Sequence, residues 1–189
     1  MNMTGLSGYN RITSTWIVLL VTSGMGLSIF FACATPFAAL ATLAALNLSR
    51  REAFAVVGTA WLANQIVGYA FLSYPWNSGS VAWGLAIGLS SLIAVLAARG
   101  LSTNRPAPLA VSLPFMAAFA AFESGLYVAG LVLSGSEGAF SVSVVRQVFL
   151  VNAASLCGLL AVYQLVMISG LIGRRDELDL QKLGSALCR

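Results

Sequence analysis

Two opposite charges stand inside apolar stretches of this chain and are its first candidates for chemistry. Glu123 lies in the middle of one predicted membrane span, and Arg146 lies about two turns into the next span. A carboxylate in the hydrocarbon region costs several kcal/mol, so Glu123 should face protein, water or a ligand. Two interpretations stay open and are compatible: a structural ion pair between Glu123 and Arg146, and a polar contact in an outward-facing cavity.

A polar and aromatic stripe precedes these charges in the chain. Its members recur at spacings of three and four, which places them on one face of a helix. Side-chain amides in lipid need hydrogen-bond partners, so this face should point into the bundle. It predicts either hydrogen bonding between helices or one wall of a ligand pocket. The stripe consists of Trp61, Asn64, Gln65, Gly68 and Leu72.

An aromatic segment, residues 74–80, follows the stripe. Tyr and Trp at a membrane interface usually form a belt at the headgroups. A belt is therefore one interpretation of this segment, and its density of rings, amides and hydroxyls suggests a second, a lid over a cavity. The predicted ligand-binding residues are therefore Trp61, Asn64, Tyr69, Tyr74, Trp76, Ser80, Trp83, Glu123 and Tyr127.

The composition excludes several classes of protein. The chain has no histidine, which removes histidine-ligated metal sites and a Ser–His intramembrane protease. It has no phosphate-binding loop of the Walker A type and no visible pair of nucleophile and base, so we expect transport rather than catalysis. The net charge of +4 does not indicate nucleic-acid binding, because the basic residues stand singly or in pairs between apolar runs.

These residues must be positioned by helices in a membrane. The 189 residues are 59% hydrophobic and 8% charged, with a mean hydropathy of +0.89. This composition predicts one integral all-α membrane domain. We predict six transmembrane helices, at residues 14–33, 36–48, 52–74, 81–98, 108–133 and 141–173, followed by a cytoplasmic tail at 174–189.

The basic residues predict the orientation of those spans. With six spans, all of the ten basic residues except Arg146 fall on one side of the membrane, which the positive-inside rule assigns to the cytoplasm. Both termini are then cytoplasmic and the aromatic segment lies outside. We expect the cytoplasmic membrane of a bacterium. Ser49 and Glu52 have the spacing of a capping box that begins the third span, and Gly84 and Gly88 form a GxxxG pair in the fourth.

The sixth span contributes further polar residues, which we place toward the bundle interior. They are Gln147, Asn152, Ser155 and Gln164.

One stretch of the sequence, residues 34–76, carries a resemblance to a known family. A short second span opens with Thr35-Pro36-Phe37, and the basic turn Leu48-Ser49-Arg50-Arg51-Glu52-Ala53 leads into a long third span. This stretch resembles the substrate-binding S-component of energy-coupling-factor vitamin transporters. Within that group the chain is most similar to the BtuM-type cobalamin transporters.

The resemblance implies a six-helix fold that holds one vitamin-sized ligand in its outer half, with cobalamin as cargo and no resident cofactor. In the BtuM group an outer cysteine can coordinate the corrinoid cobalt. Here Ser80 stands at the expected position, and a hydroxyl is a poor cobalt ligand compared with a thiolate. Cys33 is the other candidate metal ligand.

The resemblance also bears on partners. S-components usually dock on their transmembrane and ATPase module through an AxxxA motif in the first helix. This chain has Gly24 and Ser28 there and its alanine pairs in the second span, which permits solitary action. Two alternatives remain: an S-component for another vitamin or a nucleobase-like ligand, and a structural or assembly membrane protein without a ligand.

Overall fold

The computed structural model describes residues 36–102 and 107–168, with side chains described for all of these except 107, 108 and 163–168. The predicted first span, with Cys33, and the predicted tail at 174–189 lie outside the described residues. The described ranges are helical and contain no strand. Five helices follow in order: α1 (Phe37–Asn47), α2 (Arg50–Ala70), α3 (Ser78–Gly100), α4 (Ala107–Gly130) and α5 (Val142–Ile168).

Four of these helices, α2 to α5, are long and apolar enough to cross a membrane. α1 is shorter, with 11 residues, and is apolar on every side. A helix of this length spans about 16 Å, roughly half of a hydrocarbon core of about 30 Å. The described part of the chain is thus all-helical, and four of its five helices suit a membrane.

The buried helix α1 forms the centre of the bundle. It contacts each of the four long helices, and its residues from Phe37 to Ala45 are all buried. A helix that is apolar all round is stable only when other elements enclose it. The long helices α2, α3, α4 and α5 run antiparallel to their neighbours in the chain, because each pair is joined by a short connection at one end.

Two distant side chains hold the ends of α1. Its first residue follows Pro36, which offers no side-chain cap. Asn152 of α5 accepts hydrogen bonds from the backbone N–H groups of Ala38 and Ala39, at 3.1 and 3.2 Å. At the other end Arg99 of α3 donates to the carbonyl oxygen of Ala45 at 3.2 Å, and to that of Leu48 at 2.9 Å. Both ends of α1 therefore have hydrogen-bond partners away from water.

The predicted capping box at the start of α2 is confirmed. The backbone N–H of Ser49 donates to Glu52 Oε2 at 2.9 Å, and the Glu52 N–H donates to Ser49 Oγ at 3.4 Å. The predicted end of this span at residue 74 differs from the structure, where α2 ends at Ala70. Ser73 has a φ of 56°, in the left-handed region, and such a residue reverses the chain after a helix.

The other predicted bounds shift for similar local reasons. α3 begins at Ser78 rather than 81, because the Asn77 side chain accepts from the backbone N–H of Ser80 at 2.8 Å and caps the helix. α4 ends at Gly130 rather than 133, where Ser136 Oγ donates to the Gly130 carbonyl oxygen at 3.0 Å. α5 begins at Val142, one residue after the predicted start.

The bundle has two chemically different ends. We call the end that carries Arg50, Arg51 and Arg99 the basic end. The opposite end, which we call the aromatic end, carries Tyr74, Trp76, Trp83, Tyr127 and Phe140. Asn152 lies ten residues after Val142, so α1 begins about 15 Å along α5 from the aromatic end. α1 therefore occupies the half of the bundle nearer the basic end.

Candidate functional site

The turn between α2 and α3 packs its rings on the last turn of α2. The ring of Tyr69 lies 4.5 Å from the Trp76 ring and 5.9 Å from the Tyr74 ring, between centroids. The Tyr69 hydroxyl lies 3.1 Å from Ser80 Oγ, so the two hydroxyls share a hydrogen bond. The structure thus brings four of the predicted ligand-binding residues together: Tyr69, Tyr74, Trp76 and Ser80. Ser80 lies in the first turn of α3 and not in a loop.

The side chain of Trp61 packs against Gly84 and Gly88, the GxxxG pair of α3. Its indole N–H donates to the carbonyl oxygen of Gly84 at 2.7 Å. A Cβ atom added at Gly88 would lie 2.6 Å from an indole carbon, and one added at Gly84 would collide with the side-chain oxygen of Gln65. The two glycines therefore accept side chains from α2, and the predicted stripe faces α3.

The last residue of the predicted stripe, Leu72, does not lie on the face of α2 that packs against α3. Leu72 lies beyond the end of α2 at Ala70 and is 44% exposed. Its assignment to the helical stripe was wrong, because the helix stops before it. Gly68 is buried against the Tyr74 ring, and Asn64 is half-buried.

Trp83 connects two parts of the aromatic end. Its indole N–H donates at 3.1 Å to the carbonyl oxygen of Ser134, in the connection between α4 and α5. Tyr127 of α4 makes an edge-on contact with Phe140 of the same connection, with centroids 5.4 Å apart. Rings from α3 and α4 thus hold the connection 131–141 over this end of the bundle.

Glu123 lies one turn below Tyr127 on α4 and is half-buried. It neighbours Phe122, whose buried ring packs on Phe37 of α1 at 6.1 Å between centroids. One turn further along, Phe119 contacts the Phe149 ring of α5 at 5.1 Å. Glu123 therefore lies on α4 next to two aromatic contacts, one that reaches α1 and one that reaches α5.

Arg146 of α5 is exposed and lies three residues before Phe149. No N–O contact within 4.0 Å joins it to Glu123 in the part of the chain that the structure describes. The side chains are at similar heights, because Glu123 follows Phe119 by four residues on an antiparallel helix. The ion pair between Glu123 and Arg146 stays a prediction.

Among the side chains that the structure describes, at residues 36–102 and 109–162, no group of three or more Cys, Asp or Glu could hold a metal ion. Ser80 Oγ is engaged with Tyr69, and Cys157 is a free, exposed thiol on α5. Cys33 lies outside the described residues. A neutral hydroxyl already in a hydrogen bond is a weaker ligand for a soft metal than a thiolate.

The remaining polar residues of α5 divide between interior and exterior. Asn152 and Ser155 are buried, as predicted. Gln147 is exposed, so its predicted place in the interior was wrong. It lies five residues before Asn152, which puts it on the opposite side of the helix. The side chain of Gln164 lies outside the described set.

Sequence reasoning did not find the capping roles of Arg99 and Asn152. Arg99 was interpreted only as a topology determinant, and Asn152 only as a polar residue of the interior. Pro36 at the start of an apolar helix was a partial signal of the role of Asn152. Proline offers no capping side chain, so the next backbone N–H groups need an acceptor from elsewhere in the fold.

No protein-family model, curated protein or solved structure matches the chain. The resemblance to the vitamin-transporter S-components therefore rests on the residues quoted for it, in the stretch 34–76.

Proposed function

We propose that this chain is a membrane transport protein that binds a small molecule in the half of its bundle nearer the aromatic end. The observation that carries the proposal is the short central helix. The start of α1 lies level with Asn152 of α5, about 15 Å from that end, so only the long helices extend beyond it. Binding sites between bundle helices combine apolar walls with a few polar groups, and in this half of the bundle the long helices carry Glu123, Tyr127 and Tyr69.

The proposed protein has six transmembrane helices, with both termini in the cytoplasm of a bacterium. The grouping of Arg50, Arg51 and Arg99 at one end of the bundle supports this orientation, because cytoplasmic ends are enriched in Lys and Arg. The aromatic end then faces outward. This orientation suits uptake, since a ligand would reach its site from the outer side.

The proposed ligand is a vitamin, with cobalamin as the first choice. This choice follows from the resemblance of residues 34–76 to the BtuM-type transporters. The aromatic groups Tyr69, Trp76 and Trp83 offer the flat apolar contacts that a corrinoid ring would use. Another vitamin or a nucleobase-like ligand would use similar contacts. The protein would work with a transmembrane and ATPase module or alone.

Equilibrium binding of cobalamin to the purified protein in detergent tests this proposal. We expect saturable binding, visible as co-purifying red absorbance, that Glu123→Gln and Tyr127→Ala weaken. Leu62→Ala is the matched control, because Leu62 is 52% exposed on α2. Absence of binding would reject cobalamin as the ligand. A colourless co-purifying small molecule identified by mass spectrometry would support a different ligand in the same site.

A structural or assembly protein without a ligand is the second candidate. The observation that favours it is that several predicted ligand residues already have partners within the bundle. Trp61 donates to Gly84, Trp83 donates to Ser134, and Ser80 pairs with Tyr69. Glu123→Gln separates the candidates: a ligand role predicts normal folding with lost binding, and a packing role predicts a lower unfolding temperature.

A further inference from the structure

Side-chain contacts fix the register between α2 and α3. Trp61 of α2 packs against Gly88 of α3. Tyr69 lies eight residues later on α2 and bonds to Ser80, which lies eight residues earlier on α3. The two helices are therefore antiparallel, and each step along one helix corresponds to an equal step in the opposite direction on the other.

The same register places two arginines side by side at the basic end. Arg50 lies eleven residues before Trp61, and Arg99 lies eleven residues after Gly88. Arg50 is the first residue of α2, and Arg99 is in the last turn of α3. Packed helix axes are about 8–10 Å apart, so these like charges repel each other. An anion bound between them would relieve this repulsion.

Arg99 can bind an anion while it caps α1. Both of its hydrogen bonds to carbonyl oxygens at the end of α1 use the same nitrogen, Nη1. A guanidinium group has further N–H donors on its other two nitrogens. The one acidic residue within 36–102 is Glu52, whose carboxylate accepts from the backbone N–H of Ser49. The described part of the basic end therefore carries an excess of positive charge.

An open apolar strip leads from these charges along α2. Arg50, Phe54 and Gly58 recur at a spacing of four and so lie on one face of the helix. The Arg50 guanidinium lies 5.7 Å from the centroid of the Phe54 ring. A Cβ atom added at Gly58 would have no neighbour within 4 Å. On α3, Leu96 is 43% exposed and lies three residues before Arg99, so both helices present apolar surface next to the arginines.

We propose that this surface binds one phospholipid with a net negative headgroup. The phosphate oxygens accept hydrogen bonds from Arg50, Arg51 and Arg99, and one acyl chain lies over Phe54 and Gly58. Arginine suits this role because its planar group matches phosphate geometry. Basic pockets between transmembrane helices bind such headgroups. A zwitterionic lipid fits less well, because the positive site repels the ammonium group of its headgroup.

This inference requires only that α2 and α3 cross a membrane, and it is independent of the proposed ligand and of transport. Arginines at the end of a span also determine topology. That role needs neither the shared level of Arg50 and Arg99 nor the open strip at Gly58. Selective lipid binding that depends on both features separates the two roles.

Native mass spectrometry of the purified protein tests the charge recognition, with dioleoylphosphatidylglycerol and dioleoylphosphatidylcholine titrated into the detergent solution. We expect the phosphatidylglycerol to bind more tightly. Arg50→Gln and Arg51→Gln should each weaken its binding about fivefold. Arg146→Gln is the matched control, because Arg146 is exposed on α5. Equal affinities for the two lipids, or an equal loss in Arg146→Gln, would overturn the proposal.

The acyl chain is tested by filling its place on α2. Gly58→Leu should weaken phosphatidylglycerol binding about tenfold, the equivalent of displacing roughly two methylene groups. Thr59→Leu is the matched control, because Thr59 is the next residue, is exposed and points away from α3. Unchanged binding in Gly58→Leu contradicts the proposal. So does displacement of the lipid by glycerol phosphate at equal concentration, which would indicate a site for free phosphate.

Carboxylates of the chain itself are the rival occupant of the arginines. Asp176, Glu177 and Asp179 lie outside the described residues and, in the predicted topology, on the same side of the membrane. Replacing the three by Asn, Gln and Asn should leave phosphatidylglycerol binding as in the wild type. Binding that appears only in this variant would show that the tail occupies the arginines, and the proposal would be wrong. Unfolding temperatures without added lipid report separately on the folding of each variant.

Discussion

The side-chain oxygen of Asn152 lies 3.1 Å from the backbone nitrogen of Ala38, 114 residues earlier in the chain. This contact supplies what Pro36 cannot, an acceptor for the first N–H groups of α1. The Asn152 amide group also donates to the Val148 carbonyl oxygen at 3.0 Å, so both of its polar atoms are engaged. A fully buried polar side chain is tolerated when it is satisfied in this way.

Removing this cap should destabilise the protein. Asn152→Ala leaves the N–H groups of Ala38 and Ala39 without their acceptor, at a cost of about 1–3 kcal/mol for each buried donor. The unfolding temperature in detergent measures the effect. Ser155→Ala is the matched control, because Ser155 is also buried on α5 but does not contact α1 through a hydrogen bond. Equal losses in both variants would contradict the capping role.

The opposite end of α1 should depend on Arg99. Arg99→Gln removes the donor to the carbonyl oxygens of Ala45 and Leu48, and we expect a loss of about 1–3 kcal/mol. Arg51→Gln removes the same charge from the same end of the bundle, but Arg51 is exposed. Chemical unfolding of the two variants distinguishes capping from charge. A loss in Arg51→Gln as large as in Arg99→Gln would indicate that net charge at this end is what matters.

The two glycines Gly88 and Gly58 should respond oppositely to alanine. A Cβ at Gly88 would press on the Trp61 indole at 2.6 Å, whereas Gly58 has nothing within 4 Å. We expect Gly88→Ala to destabilise by about 1–3 kcal/mol through overpacking. Gly58→Ala should stabilise by about 1 kcal/mol, because alanine favours the helix. Tryptophan emission during unfolding follows both, and a tolerated Gly88→Ala would contradict the contact with Trp61.

If cobalamin is the ligand, a thiol at position 80 should change its spectrum. Ser80→Cys introduces a soft ligand at the position where the resemblance places the cobalt, and thiolate coordination would shift the visible absorbance of the bound corrinoid. Ser78→Cys, two residues earlier in the same helical turn, is the control. Cobalamin bound with identical spectra in both variants would contradict a cobalt position near Ser80.

Much of the helical fold could be predicted because its signals are local. Apolar runs predicted each of the five described helices, and Ser49 and Glu52 predicted the start of α2 through contacts only three residues apart. The errors are also local. The turn after Ala70 depends on the left-handed Ser73, and serine has no strong preference that would reveal it.

The less predictable features depend on residues far apart in the sequence. The pairing of Trp61 with Gly84 and of Arg99 with Leu48 requires the register between helices, which periodicity does not provide. The same limit applies to the candidate site. The sequence placed Tyr69, Tyr74, Trp76 and Ser80 in one region, but it could not show that the Tyr69 and Ser80 hydroxyls bond to each other.

The dependence of α1 on Asn152 also has a consequence for biosynthesis. The ribosome makes Asn152 after another 114 residues, which takes roughly 6–23 s at about 5–20 residues per second. During that interval α1 is in the nascent chain without the acceptor for its first N–H groups. We therefore expect this short helix to reach its final place late, after α5 has left the translocon. In a nascent chain truncated before residue 152, a cysteine introduced into α1 should be open to labelling.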